Sequence, residues 1–238
     1  YSPYCVYLPG GDPGDVAAIR EGYAGVQDEG SQLIARAVTV AEVADDGGRW
    51  LDMCAGPGGK AALIGSLAEI DGARLDAIEV SEHRAGLIRK VVSDLPVTIH
   101  VADARSSGLD AGYDRILLDA PCSGLGSLRR RPESRWRRTT ADVDELVVLQ
   151  KELLAEALRL VKPGGIVVYS TCSPHPAETT AVVADVLAST DGVRQLDARP
   201  LVTVGKLGPD LLGDGPHVQL WPHIHGTDAM FLAALTRD

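Results

Sequence analysis

From residue 49 onward, short apolar runs alternate with amphipathic stretches, and this rhythm constrains the fold more than any other feature of the chain. Strands are expected over Arg49–Cys54, Ala73–Val80, Val97–Ala102, Tyr113–Asp119, Ile166–Thr171, Val193–Leu196 and Met230–Leu235. Helices are expected over Ala61–Glu69, Glu82–Ser93, roughly 142–161 and Glu178–Ser189, the third ending before Lys162-Pro163-Gly164-Gly165. An earlier helix, 27–44, sets Leu33, Ile34, Ala37, Val38 and Ala41 on one face and stops at Asp45-Asp46-Gly47-Gly48. The run Ile116-Leu117-Leu118 is continuously apolar, as suits a parallel strand covered on both faces. Strands alternating with helices specify an α/β fold, a mostly parallel sheet wound on both faces. Ligands of such sheets sit at the carboxyl ends of the strands. The chemically informative residues fall there: Cys54 with its glycines, Glu79, Asp103, Asp119 with Cys122, and Cys172.

The 238 residues, 45% of them hydrophobic, suffice for one large core. No apolar run is long enough to cross a bilayer. The start, YSPYCVYLPGGDP, lacks the basic-then-apolar order of a signal peptide. It also lacks an initiator Met, so the chain reads as a piece of something longer. Cys5, Cys54, Cys122 and Cys172 show no CxxC spacing, which argues against zinc, and no metal is expected. Free thiols in a reducing cytoplasm are the natural expectation. A net charge of −10 argues against non-specific nucleic-acid binding through bulk charge. Against that background Arg129, Arg130, Arg131, Arg135, Arg137 and Arg138 form a concentrated basic patch, either a solvated helix end or a phosphate-contacting surface.

The loop 52-DMCAGPGGK-60 places Gly56, Gly58 and Gly59 where a backbone can turn tightly against a ligand. It is not a P-loop, which would need Gly at position 54 and Ser or Thr at 61. The dinucleotide spacing fails as well, since its third glycine falls on Ala61. Glu79 follows about twenty residues later, where an acid accepts hydrogen bonds from ribose hydroxyls. Asp103 can accept from an adenine amino group. Together these suit an adenosyl ligand without pyrophosphate, and S-adenosylmethionine better than NAD.

Two further stretches, 117-LLDAPCSGLGSLRRRPESRW-136 and 169-YSTCSPHPAE-178, each end a strand on a cysteine. Methylating C5 of cytosine needs that chemistry. A thiolate adding to C6 turns the ring into a nucleophile at C5, and an acid at N3 promotes the addition. A base then removes the C5 proton, the thiolate leaves, and a second cysteine can assist release.

These blocks, with DMCAGPGGK, 27-QDEGSQ-32 and 225-HGTDAMFLAAL-235, resemble the signatures of the Sun/NOP (NSUN) family of RNA cytosine-5 methyltransferases, most of all its bacterial small-subunit rRNA group (RsmB, or Sun). The resemblance runs from about 20 to 236. It implies a Rossmann-like class I S-adenosylmethionine-dependent fold: a doubly wound, mostly parallel, seven-stranded sheet with an antiparallel last strand. It implies Cys172 as nucleophile, Cys122 as the cysteine of release, and Asp119 between cofactor and target base. Cys54, Ala55, Gly56, Pro57, Gly58, Gly59, Lys60, Glu79, Arg84, Asp103 and Asp119 correspond to the cofactor site. Arg129, Arg130, Arg131, Arg135 and Trp136 lie where the family contacts RNA, and Trp136 either stacks a base or packs on the core. The implied partner is RNA, rRNA first and tRNA second, bound by a cytoplasmic monomer. An assembly factor that binds RNA without catalysis has no use for the two cysteines. The family reads CAAPGGK where this chain reads CAGPGGK, a change expected to loosen the loop. Residues 1–26 read as an irregular remnant of, or linker to, a missing N-terminal region, and 27–238 as the catalytic domain. His175, His217, His223 and His225 carry little expectation of chemistry.

Overall fold

A computed structural model describes residues 1–238. The eight strands are β1 (Arg49–Asp52), β2 (Arg74–Glu79), β3 (Val97–Val101), β4 (Tyr113–Asp119), β5 (Val161–Thr171), β6 (Val193–Leu196), β7 (Val218–Gln219) and β8 (Phe231–Arg237). The five long helices are α1 (Glu29–Val40), α2 (Gly59–Asp71), α3 (Glu82–Val91), α4 (Thr140–Leu160) and α5 (Thr180–Ser189). The strands join in the order β3-β2-β1-β4-β5-β8-β6, with β7 paired to β8. The first five are mutually parallel, and β8 runs antiparallel to β5, β6 and β7. The expected seven-stranded, doubly wound sheet with its antiparallel last strand is present, and β7, a two-residue strand too short to leave a periodic trace, is the addition.

Alternation along the strands divides the core in two, because successive side chains of a strand point to opposite faces. Trp50, Leu75, Leu117 and Val168 pack with Leu33 and Ile34 of α1 and Ile64 of α2. Leu51, Ile116, Leu118, Val167 and Tyr169 pack with Leu153, Leu154 and Leu158 of α4 and Val182 and Val186 of α5. Each fully buried Leu or Ile contributes roughly 1.5–3 kcal/mol. β4, covered on both faces, is the central strand that its continuous apolar run predicts.

Local signals set the boundaries. Asp28 caps α1 by accepting from the Gly30 N–H at 2.9 Å, and Thr139 and Asp142 form a reciprocal capping box at α4. One boundary differs from expectation. No loop follows α4: β5 begins at Val161, pairs there with Tyr113, and resumes pairing at Ile166 with Arg115. Lys162-Pro163-Gly164-Gly165 bulges out between these points, so the turn signal marks a bulge inside a strand. A Cβ on Gly165 would lie 2.9 Å from the Asp114 carbonyl oxygen, which explains the glycine. Residues 1–26 contain only a 3-10 turn at Pro13–Asp15 and a single helical turn at Ala17–Arg20, and their start is tied to α1 where Ser2 Oγ donates to Gln32 Oε1 at 2.8 Å. No helix is long and apolar enough to cross a membrane.

Candidate active site

Parallel pairing brings the carboxyl ends of β2, β1, β4 and β5 side by side, so Glu79, Asp52, Asp119 and Thr171 follow one another along one sheet edge. The chain order reverses between β1 and β4, which is the switch point where doubly wound sheets bind ligands.

The glycine loop folds onto Glu79. That carboxylate is buried and accepts from the Gly56 N–H at 3.1 Å and the Ser81 N–H at 2.9 Å. Arg84 lies 3.4 Å from Glu79 and also donates to the Gly56 carbonyl oxygen. A Cβ on Gly56 would strike the Glu79 carboxylate and fall 2.8 Å from Arg84 Nε. Gly56 is therefore a fitted position, where the Arg84 guanidinium takes the space an alanine side chain would need. Gly58, at φ +111°, precedes α2, which starts with no side-chain cap. The loop amides, the buried Glu79 carboxylate and Arg84 meet at one strand end, a donor and acceptor set whose chemistry fits an adenosyl ligand. Asp103 sits further along the edge, with both carboxylate oxygens on Arg105, which also reaches Glu152 at 2.7 Å. Its hydrogen bonds from Arg105 hold the Asp103 carboxyl below the usual carboxylate range.

Between the loop and β4, Lys60 Nζ meets Asp119 Oδ2 at 2.5 Å, and Ser170 Oγ donates to Asp119 Oδ1 at 2.8 Å. Burial pulls the Lys60 ammonium down, but the Asp119 carboxylate outweighs it and leaves it above the ordinary lysine range. Beneath them Asp52 is 1% exposed, and its Oδ2 has no hydrogen-bond partner. Burial, with the Asp119 charge second, pushes the Asp52 carboxyl up to about 7.

Past the end of β5, Cys172 Sγ lies 3.3 Å from Cys122 Sγ. A disulfide would need about 2.05 Å, so these are free thiols in contact. The hydrogen bond from Cys122 brings the Cys172 thiol below its ordinary value, with Lys60 helping and burial and Asp119 opposing. The same bond, then burial, pushes Cys122 well up. Of the two, Cys172 is the one favoured as thiolate. Gly126 wedges beside it: its N–H donates to the Cys172 carbonyl oxygen at 2.9 Å, and its own carbonyl accepts from the Ala229 N–H at 2.9 Å. Glu178, fully buried, accepts from both loops that carry the cysteines.

The arginine cluster divides. Arg129 pairs with Asp28 at 2.9 Å, and Arg130 Nε donates to Asp228 at 2.9 Å, both carboxylates being buried. These two arginines, expected to face RNA, fasten the Cys122 loop to the start of α1 and to the segment before β8. Arg131, Arg135 and Arg137 are exposed and in no ion pair. Trp136, on the single turn Ser134–Arg137, is 83% exposed, so it does not pack on the core. His225 is a buried structural group, accepting from the Trp221 N–H at 2.8 Å.

Asp52, Asp28, Asp228 and Glu178 escape the sequence reading as functional residues. All four lie inside quoted blocks: DMCAGPGGK, QDEGSQ, HGTDAMFLAAL and YSTCSPHPAE. A buried acid leaves no periodic signal of its own, so only the motif context points to it.

The sheet order, the glycine loop on an acid at the end of β2, and the lysine and acid at the switch point define a Rossmann-like methyltransferase fold. The chain belongs to the 16S rRNA methyltransferase RsmB/F family, whose model matches residues 39–236. Members of this family are S-adenosylmethionine-dependent methyltransferases. A putative methyltransferase of Mycobacterium tuberculosis is 59% identical over 237 residues, covering 100% of this chain and 51% of that protein. The probable ribosomal RNA small subunit methyltransferase B of Bacillus subtilis is 33% identical over 228 residues, covering 92% of this chain and 48% of that protein. The chain thus spans about half the length of the curated relatives it matches. Among solved structures, NSun6 from Pyrococcus horikoshii with SFG superposes with a TM-score of 0.79 at 29% identity, covering 97% of this chain and 56% of that one.

Proposed function

We propose that this chain is the catalytic portion of a methyltransferase that forms 5-methylcytosine in RNA, with small-subunit rRNA as substrate. The observation that carries the reading is the contact of two free thiols, Cys122 and Cys172, 3.3 Å apart, with the Lys60–Asp119 pair on the adjacent strand end. The names of the relatives support rRNA, and a cytoplasmic enzyme follows from that substrate. Residues 27–238 form the catalytic domain, and 1–26 an irregular segment that precedes it.

Glu79, with the Gly56–Lys60 loop and Arg84, would hold S-adenosylmethionine, and Asp103 its adenine side. Bound there, the cofactor supplies an electrophilic methyl group. C5 and C6 of cytosine are out of reach inside a stacked helix, so the base enters unpaired or flipped. The Cys172 thiolate gives its electron pair to C6, and the ring gains a nucleophilic C5. Asp119, fixed by Lys60 and Ser170, is the carboxyl group assigned to N3: the Lys60–Asp119 pair lends N3 a proton as the thiolate adds and recovers it when the thiolate leaves. Once C5 carries its methyl group, the C5 proton leaves to a base, the C5–C6 double bond re-forms, and the C6–S pair returns to Cys172. Bonding of Cys172 to carbon also removes the thiolate that holds the Cys122 thiol up. Cys122 therefore becomes more acidic once Cys172 is bonded to carbon: it releases its own proton to solvent, and the resulting thiolate then takes the C5 proton, which gives the second cysteine a timed role in release.

The test is label transfer from radiolabelled S-adenosylmethionine to unmodified small-subunit rRNA and tRNA, followed by nucleoside analysis. Labelled 5-methylcytidine in rRNA, lost with Cys172→Ala, is the expected result. Label in another nucleoside, or label retained with Cys172→Ala, refutes the reading.

A further inference from the structure

Glu178 stands outside the reaction as described, yet its carboxylate touches both halves of the cysteine pair's support. It is fully buried and forms no ion pair. Its Oε1 accepts from the Ser123 N–H at 2.7 Å and from Gln150 Nε2 at 3.2 Å. Its Oε2 accepts from Ser123 Oγ at 2.5 Å and Ser173 Oγ at 2.6 Å. Ser123 directly follows Cys122, and Ser173 directly follows Cys172. The two hydroxyls are themselves 3.4 Å apart. Gln150, on α4, also donates to the Pro121 carbonyl oxygen at 2.8 Å, just before Cys122. The Tyr169 hydroxyl, on β5, donates to the Glu178 carbonyl oxygen at 2.8 Å and fixes the backbone that carries the carboxylate.

A buried carboxylate with no cation is expensive unless donors satisfy it. Here four donor contacts do so, and three come from residues adjacent to the two cysteines. A simple core position would be filled more stably by an apolar side chain. What the carboxylate adds is a shared anchor, because two loops from different strands are bound to one rigid group.

We propose that Glu178 is a positioning residue: it clamps the loops after Cys122 and Cys172 to one carboxylate and so sets the separation and relative orientation of the two thiols. The inference rests on the two-cysteine reading for its effect on turnover, but its effect on the thiols stands apart from any activity. A displacement of about 1 Å at a reacting group costs on the order of 100-fold in rate. Glu178 touches neither the cofactor loop nor the exposed arginines, so binding of cofactor and RNA should be spared.

The experiment compares wild type, Glu178→Gln, and the milder pair Ser123→Ala and Ser173→Ala, singly and together. Two readouts are taken. One is kcat and KM for methyl transfer. The other is the pH dependence of iodoacetamide alkylation at Cys172 and Cys122, followed by mass spectrometry without RNA or cofactor. The expected result for Glu178→Gln is a kcat lower by about 100-fold, with KM for cofactor and RNA unchanged. The order in which wild type alkylates, Cys172 at lower pH than Cys122, should be lost. The doubly substituted serine variant should reproduce both changes, and adding Glu178→Gln to it should change little further. Wild-type kcat and an unaltered alkylation order in folded Glu178→Gln would overturn the proposal. Should Glu178→Gln fail to fold, the same wild-type behaviour in the double serine variant would overturn it. Should wild type make no 5-methylcytosine, the proposed reaction fails, and the alkylation order alone then decides for or against Glu178.

Discussion

Replacing Asp52 with Asn should make the protein's stability less sensitive to pH, and the size of the effect follows from where the carboxyl sits. It is 1% exposed, one oxygen has no partner, and burial raises its folded value to about 7. In the unfolded chain an Asp titrates near 4. Between those values the folded protein keeps a proton that the unfolded chain has released. Stability therefore falls as pH rises from about 4 to about 7 and levels off above that. The full gap corresponds to roughly 4 kcal/mol, at about 1.4 kcal/mol per pH unit. Asn removes the titration, but its amide leaves an unpartnered donor in place of the unpartnered oxygen, at a cost of about 1–3 kcal/mol. The variant should thus be less stable than wild type near pH 4.5 and equal or more stable at pH 8. Urea unfolding of the ligand-free protein at half-unit steps measures this, and the wild-type-minus-variant difference cancels the other titrating groups. A difference that stays constant from pH 4.5 to 8 would refute the assignment of a raised carboxyl to Asp52.

Gly126→Ala should destabilise the fold by about 1–3 kcal/mol and depress activity, because its Cβ would meet the Cys172 carbonyl oxygen at 2.7 Å; thermal unfolding and kcat check both. Arg130→Ala should lower Tm by leaving the buried Asp228 with only the longer contact to Arg129, at 3.7 Å. Arg135→Ala should leave Tm unchanged while weakening RNA binding and reducing its salt slope by about one. Trp136→Ala should likewise spare stability yet weaken binding of single-stranded RNA by about 1–3 kcal/mol, seen by fluorescence titration.

The sheet is legible because short apolar runs alternate with helical stretches and carry chemistry at their ends, and Ile116-Leu117-Leu118 marks the centre. The strand-end residues were legible for the same reason: topology alone delivers Glu79, Asp119 and Cys172 to one edge. What the residues did not disclose is pairing. Arg129 and Arg130 look no different in sequence from Arg131 and Arg135, and only their distance to Asp28 and Asp228 separates latch from free surface. Gly56 reads as a loosened loop until Arg84 is seen in the space. Gly164-Gly165 signals a turn in any context, and only the pairing of Val161 with Tyr113 turns it into a bulge within β5. Glu178 is invisible because a buried acid gains its meaning from its donors, and these lie five, twenty-eight and fifty-five residues away.

The division of labour between the two thiols is the central claim, and trapping tests it most directly. Cys122→Ala, incubated with S-adenosylmethionine and unmodified small-subunit rRNA, would be run on a denaturing gel beside wild type and the Cys122→Ala/Cys172→Ala double variant. A covalent protein–RNA band with Cys122→Ala that vanishes in the double variant is the predicted result. Normal turnover by Cys122→Ala without any adduct, or an adduct that persists without Cys172, would contradict it.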